Sequence, residues 1–131
     1  FGNPAHMAEL AALSTKYEIP LLEDACEGLG GRHRSDRIGG YGRAAVFAFY
    51  PNKQITTGEG GMIVTDSDRV AELCRSMLNQ GRSIHAAWLE HERLGYNFRL
   101  SDINGALGLA QLARLDEIIA KRRERKKQAT R

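Results

Sequence analysis

Ala44-Ala45-Val46-Phe47-Ala48-Phe49-Tyr50-Pro51-Asn52-Lys53-Gln54 is an apolar, aromatic run that stops at a proline and then presents a lysine. Residues 44–50 read as a strand, and Pro51 ends it because proline cannot donate to a sheet ladder. Lys53 follows in the turn. A buried lysine at such a place is a nucleophile for carbonyl carbon, whereas a solvated one is an ordinary loop lysine. The run by itself leaves both readings open.

The segments on either side set the class. Upstream, Asn3 reads as an N-cap and Pro4 as the first residue of a helix, with Met7, Leu10, Ala11, Ser14 and Tyr17 recurring at helical spacing. Pro20 closes the turn after it. Ile19-Pro20-Leu21-Leu22 then runs into Glu23-Asp24 as a short strand, expected to be parallel and buried. Residues 28–42 hold six glycines and many charges and read as an exposed loop. Downstream, residues 60–65 read as a third strand. Asp66 or Ser67 caps a helix whose apolar stripe is Val70, Leu73, Cys74, Met77 and Leu78, with Gly81 as its C-cap. Residues 82–100 show no clear period. Ser101 or Asp102 caps a long final helix with Ile103, Leu107, Ala110, Gln111, Leu115, Ile118 and Ile119 on one face. Strands alternate with helices, so the fold class is α/β. The few strands make a thin sheet, expected to be part of a larger one. Phe1 at one end and an unterminated charged helix at the other suggest a piece of a longer chain.

Composition narrows the function classes. A formal net charge of +3 is too small to point to nucleic acid. The run Lys121-Arg122-Arg123-Glu124-Arg125-Lys126-Lys127 has no interleaved aromatic residues and reads as a solvated helix end that suits the helix dipole. Cys26 and Cys74 are far apart and fit two free thiols in a reducing cytoplasm. No apolar run approaches the roughly 18 residues needed to span a bilayer, and the N-terminal residues do not have the pattern of a signal peptide. His6, His33, His85 and His91 have no metal-ligand spacing, and no metal is expected. Trp88 and Tyr17 read as packing residues.

Four segments carry candidate chemistry. Glu23-Asp24-Ala25-Cys26-Glu27 ends a strand, where α/β proteins hold ligands. An aspartate there either pairs with a protonated ring nitrogen or caps a turn. The lysine turn is the second segment. Thr56-Thr57-Gly58-Glu59-Gly60-Gly61 lacks the lysine-serine ending of a phosphate loop and reads better as a tight turn between strands. In Gly95-Tyr96-Asn97-Phe98-Arg99-Leu100-Ser101-Asp102, Asn97 and Arg99 either meet a phosphate or support a turn and pair with a neighbouring carboxylate.

Taken in order, these motifs closely resemble the DegT/DnrJ/EryC1/StrS family of PLP-dependent sugar aminotransferases, from Gly2-Asn3-Pro4 to Gln111-Leu112-Ala113-Arg114-Leu115-Asp116. The resemblance implies part of the large α/β/α domain of a fold-type-I PLP transferase, with residues 1–131 as its middle. The family's phosphate loop and cofactor-stacking ring are then expected before Phe1, and its small domain after Arg131. It implies pyridoxal 5'-phosphate as cofactor, held on Lys53 as a Schiff base, with Asp24 on the pyridine nitrogen. Glu27 falls where the family usually has glutamine near the ring oxygen. Asn97 matches an asparagine that reaches a neighbouring subunit's cofactor phosphate, and Arg99 belongs to the same motif. Ala48 stands where many members have a phosphate-contacting serine. The implied activity moves an amino group from glutamate or glutamine to a nucleotide-linked keto-sugar, with ping-pong kinetics, in a cytoplasmic homodimer whose active site lies at the interface. Sugar dehydratases of the same family carry histidine in place of the lysine, so Lys53 favours transamination. A regulatory or non-catalytic member of the family is the alternative.

Overall fold

The structure, a computed structural model, describes residues 2–83 and 89–129. His85 and Trp88 lie outside the described residues. The elements run α1 (Met7–Tyr17), β1 (Leu22–Asp24), β2 (Arg32–His33), β3 (Asp36–Arg37), β4 (Ala44–Ala48), β5 (Gly61–Val64), α2 (Asp68–Leu78), α3 (Asp102–Leu112) and α4 (Leu115–Ala129). Among the described residues no helix is long and apolar enough to cross a membrane.

The main sheet has the order β1-β4-β5. β1 is parallel to β4, with Leu22 opposite Ala44 and Asp24 opposite Val46. β5 returns antiparallel to β4, from Ala45 opposite Val64 to Ala48 opposite Gly61. The buried apolar side chains are Met7, Ala25, Ala44, Ala45 and Ile55.

β1 is parallel as expected, but its burial is reversed. Leu22 is 70% exposed and Glu23 only 5%, because successive side chains of a strand face opposite ways. The Glu23 carboxylate is buried with partners. It accepts the N–H groups of Gly39 (2.8 Å), Tyr41 (2.7 Å) and Gly42 (2.7 Å). Charge-assisted hydrogen bonds of this kind contribute about 1.5–3 kcal/mol each. They fold the glycine-rich segment back on to the sheet. That segment also contains the β2–β3 hairpin, with His33 opposite Asp36, and is therefore not a featureless loop.

Three further expectations are corrected. α1 begins at Met7 with His6 as N-cap, and Asn3 and Pro4 instead line a cavity beside Glu27. A tight turn from Met7 N–H to the Ala5 carbonyl (2.8 Å) delays the helix start. The final helix is two helices. Arg114 N–H bonds the Gln111 carbonyl at 3.0 Å, a tightened turn, and α4 starts afresh with Asp116 and Glu117 in its first turn. Asn79, not Gly81, is the C-cap of α2. Gly81 nonetheless bonds the Ser76 carbonyl at 2.8 Å. It does so at φ +76°, with the Arg93 carbonyl oxygen only 1.8 Å from where a Cβ would stand. The N-caps Ser67 and Ser101 are as the sequence predicts, accepting from Val70 and Asn104 N–H.

Candidate active site

Because β1 and β4 are parallel, their carboxyl ends emerge at one edge of the sheet, where α/β proteins bind ligands. Asp24 is the last residue of β1, and the ladder continues one step with Ala25 N–H on the Val46 carbonyl at 3.0 Å. The chain leaves β4 at Ala48 and turns at Pro51, with Lys53 N–H on the Tyr50 carbonyl at 3.0 Å. Parallel register therefore brings Asp24 and Lys53 to the same side. Both line a cavity of about 550 Å³, together with Asn3, Pro4, Cys26 and Glu27.

The Lys53 side chain is 14% exposed, so its stem is covered, and its ammonium donates to the Glu27 carboxylate, which is 49% exposed. The Glu27 carboxyl is held below the usual carboxylate range, chiefly by this hydrogen bond. Asp24 is exposed, and its Oδ1 accepts Cys26 N–H at 3.1 Å. Hydrogen bonds from the Cys26 side chain, and then from its backbone N–H, lower the Asp24 pKa, with a smaller contribution from Lys53. Desolvation, and then Asp24 itself, pushes the Cys26 thiol up, so it remains a protonated donor. The cavity thus presents an amine and a firmly ionised carboxylate.

Asn97 and Arg99 do not line this cavity. Asn97 makes an isolated bridge to Asn79, just past α2, and Arg99 Nη1 donates to the Asn79 side-chain oxygen at 2.5 Å. The structure brings together Asp24, Glu27 and Lys53, and separately Asn97 and Arg99. The loop at 56–61 is a turn with its own internal hydrogen bonds. Thr57 Oγ1 donates to the Glu59 carbonyl (2.6 Å), and Gly58 N–H donates to Thr56 Oγ1 (2.9 Å).

Three residues that hold the lysine turn have no local signal in the sequence. Gln54 Nε2 donates to the Glu27 carbonyl at 2.6 Å. Gln111 Oε1 of α3 accepts Thr56 N–H at 2.9 Å. Arg122 Nη2 of α4 donates to the carbonyls of Asn52 (3.1 Å) and Lys53 (2.9 Å). Arg122 corrects the reading of the basic run as wholly solvated, and only its tertiary placement reveals the role.

Asp24 at the end of β1 and Lys53 in the turn after β4 thus place a carboxylate and a lysine together at one edge of an α/β sheet. The chain belongs to the DegT/DnrJ/EryC1/StrS aminotransferase family, whose model matches residues 1–131. It is 36% identical over 124 residues to GDP-perosamine synthase of Escherichia coli O157:H7, covering 95% of this chain and 34% of that protein. Among solved structures, it resembles Helicobacter pylori PseC, an aminotransferase of pseudoaminic acid biosynthesis, at 32% identity and TM-score 0.83. That match covers 88% of this chain and 31% of that one. The E. coli GDP-4-keto-6-deoxy-D-mannose-3-dehydratase with bound hydrated PLP matches at 28% identity and TM-score 0.85, covering 94% and 36%. The chain spans about a third of the length of the curated relatives it matches. Its fold is the α/β fold of the fold-type-I PLP enzymes.

Proposed function

We propose that the protein is a PLP-dependent aminotransferase that moves an amino group from glutamate or glutamine to a nucleotide-linked keto-sugar, with residues 1–131 forming part of its PLP-binding large domain. The observation that carries this reading is the meeting of Lys53 and Asp24 in one cavity. The residues fit the cofactor at two of its ends. Lys53 faces the cavity as the amine for its carbonyl carbon, and Asp24 is an ionised partner for its ring nitrogen. Among the described residues that line the cavity Lys53 is the one basic side chain, and Ala48 offers no hydroxyl. Phosphate binding therefore falls to other groups.

PLP, when bound, supplies an electrophilic carbonyl and an electron sink. Lys53 would hold that carbonyl carbon and, once released, its amine would take the proton from the substrate's α-carbon and deliver it to the former carbonyl carbon, two bonds away. Asp24 keeps the proton on the ring nitrogen. Glu27 holds the resting Lys53 ammonium and has to release it before Lys53 can act.

The same reading makes the protein a homodimer, with Asn97 and Arg99 serving the cavity of the second copy. This accords with their distance from the cavity of their own chain, and with the exposure of Leu94 (82%), Phe98 (71%) and Ile103 (83%) beside them. It sets the enzyme in the cytoplasm, in line with free thiols at Cys26 and Cys74, in amino-sugar and polysaccharide synthesis. The likeness to a dehydratase keeps sugar dehydration as a second reading, against which stands Lys53 itself.

A labelled half-reaction tests the proposal. With PLP and ¹⁵N-glutamate or ¹⁵N-glutamine but no sugar, the full chain releases one keto acid per site. A nucleotide-linked keto-sugar added afterwards takes up the label. Loss of a sugar hydroxyl without label uptake supports the dehydratase and overturns the transaminase.

A further inference from the structure

We propose that Arg122 is a positioning residue for Lys53, clamping the peptide that carries the lysine to helix α4. The inference rests on the reading of Lys53 given above and adds to it a residue 69 positions away.

The lysine turn is held from three directions. Gln54 ties it to the Glu27 backbone and Gln111 ties it to α3, but neither touches the peptide of Lys53 itself. Arg122 does. One guanidinium nitrogen donates to the carbonyls of Asn52 and Lys53 together, at 3.1 and 2.9 Å. A planar guanidinium spans two adjacent carbonyls without losing much freedom, whereas a lysine ammonium is a mobile point charge. The neighbours on α4 behave differently. Lys121 pairs with Glu117 at 2.5 Å. Arg122, Arg123 and Lys126 all line a recess along Gly28–Gly31, and of these it is Arg122 that hydrogen-bonds the lysine turn. Arg122 is the member of the basic run turned on to the lysine turn. Its charge also bears on Glu27, the resting partner of the Lys53 ammonium, where it helps to lower the carboxyl pKa. Reactive groups that drift by about 1 Å lose rate by about 10²-fold, so a clamp on the nucleophile's own peptide governs its encounter with a carbonyl.

Two readouts on the full chain test this, using Arg122→Ala, Arg122→Lys and the control Arg123→Ala. The first is amide hydrogen exchange at residues 52–54 without cofactor. The second is the rate of the PLP adduct trapped on Lys53 by borohydride. Arg122→Ala is expected to raise exchange and to slow adduct formation about tenfold, with the global unfolding midpoint held. Arg122→Lys recovers part of both, and Arg123→Ala matches wild type. Faster exchange with an unchanged adduct rate makes Arg122 merely structural and overturns the proposal. So does a slower adduct with unchanged exchange, which assigns the effect to charge. If wild type forms no adduct, the PLP reading of Lys53 fails and the positioning role falls with it; raised exchange in Arg122→Ala then shows a structural clamp only.

Discussion

The Lys53 ammonium donates to the Glu27 carboxylate, across 26 positions of sequence and at the mouth of the candidate cavity. The resting lysine is therefore neutralised by a residue that must give it up. Gln54 holds the two segments together, with its side chain on the Glu27 carbonyl at 2.6 Å.

Glu27→Gln removes the charge of that partner and keeps a polar side chain. The pair is screened by solvent and weak, and PLP uptake at neutral pH should quicken by about two- to fivefold. Stopped-flow absorbance measures it. The pH dependence follows from the lowered Glu27 pKa. The folded state binds fewer protons than the unfolded one. The pair's stabilisation is thus complete above the ordinary carboxylate pKa and is lost as pH falls through the lowered value. At neutral pH the Glu27 carboxylate is therefore ionised and holds its side of the pair.

Asp24→Asn leaves an acceptor for Cys26 N–H and removes the charge. Amino transfer should fall by about 10²-fold or more, with little change in stability, since the side chain is exposed. The Asp24 pKa lies below its ordinary value, so the wild-type pH–rate profile should show no limb from this group above the ordinary carboxylate range. Steady-state kinetics across pH checks both statements.

Glu23→Ala leaves three N–H groups without their carboxylate and should destabilise the fold by about 3 kcal/mol. Glu23→Gln keeps one acceptor oxygen and should cost less. Denaturant unfolding ranks the two, and equal midpoints for Glu23→Ala and wild type would contradict this account of the 28–42 segment.

Gly81→Ala faces both a positive φ and a carbonyl oxygen 1.8 Å from the new Cβ. A loss of about 2 kcal/mol or more is expected, read from the unfolding midpoint.

Local chemistry made much of this architecture legible. Ser67 and Ser101 capped helices, and Asp24 stood at a strand end, whereas β4 stopped at Ala48, ahead of the Pro51 expected to end it. What stayed hidden depends on distant partners. Glu23 looked like half of an acidic pair, because its three amides lie 16 to 19 residues away. Arg122 looked solvated, because its carbonyls lie on a turn 69 and 70 residues earlier. The break at Ala113–Arg114 has no glycine or proline to mark it. Asn97 and Arg99 were legible as a motif, yet within one chain they meet Asn79 and not the lysine.

The central claim is that Lys53 carries the cofactor. The direct measurement is borohydride reduction of the full chain at saturating PLP, followed by peptide mass spectrometry of wild type and Lys53→Ala. The account predicts one reduced PLP per chain on the peptide containing Lys53, absent from the variant. No adduct on that peptide, or an adduct that survives Lys53→Ala undiminished, would contradict it.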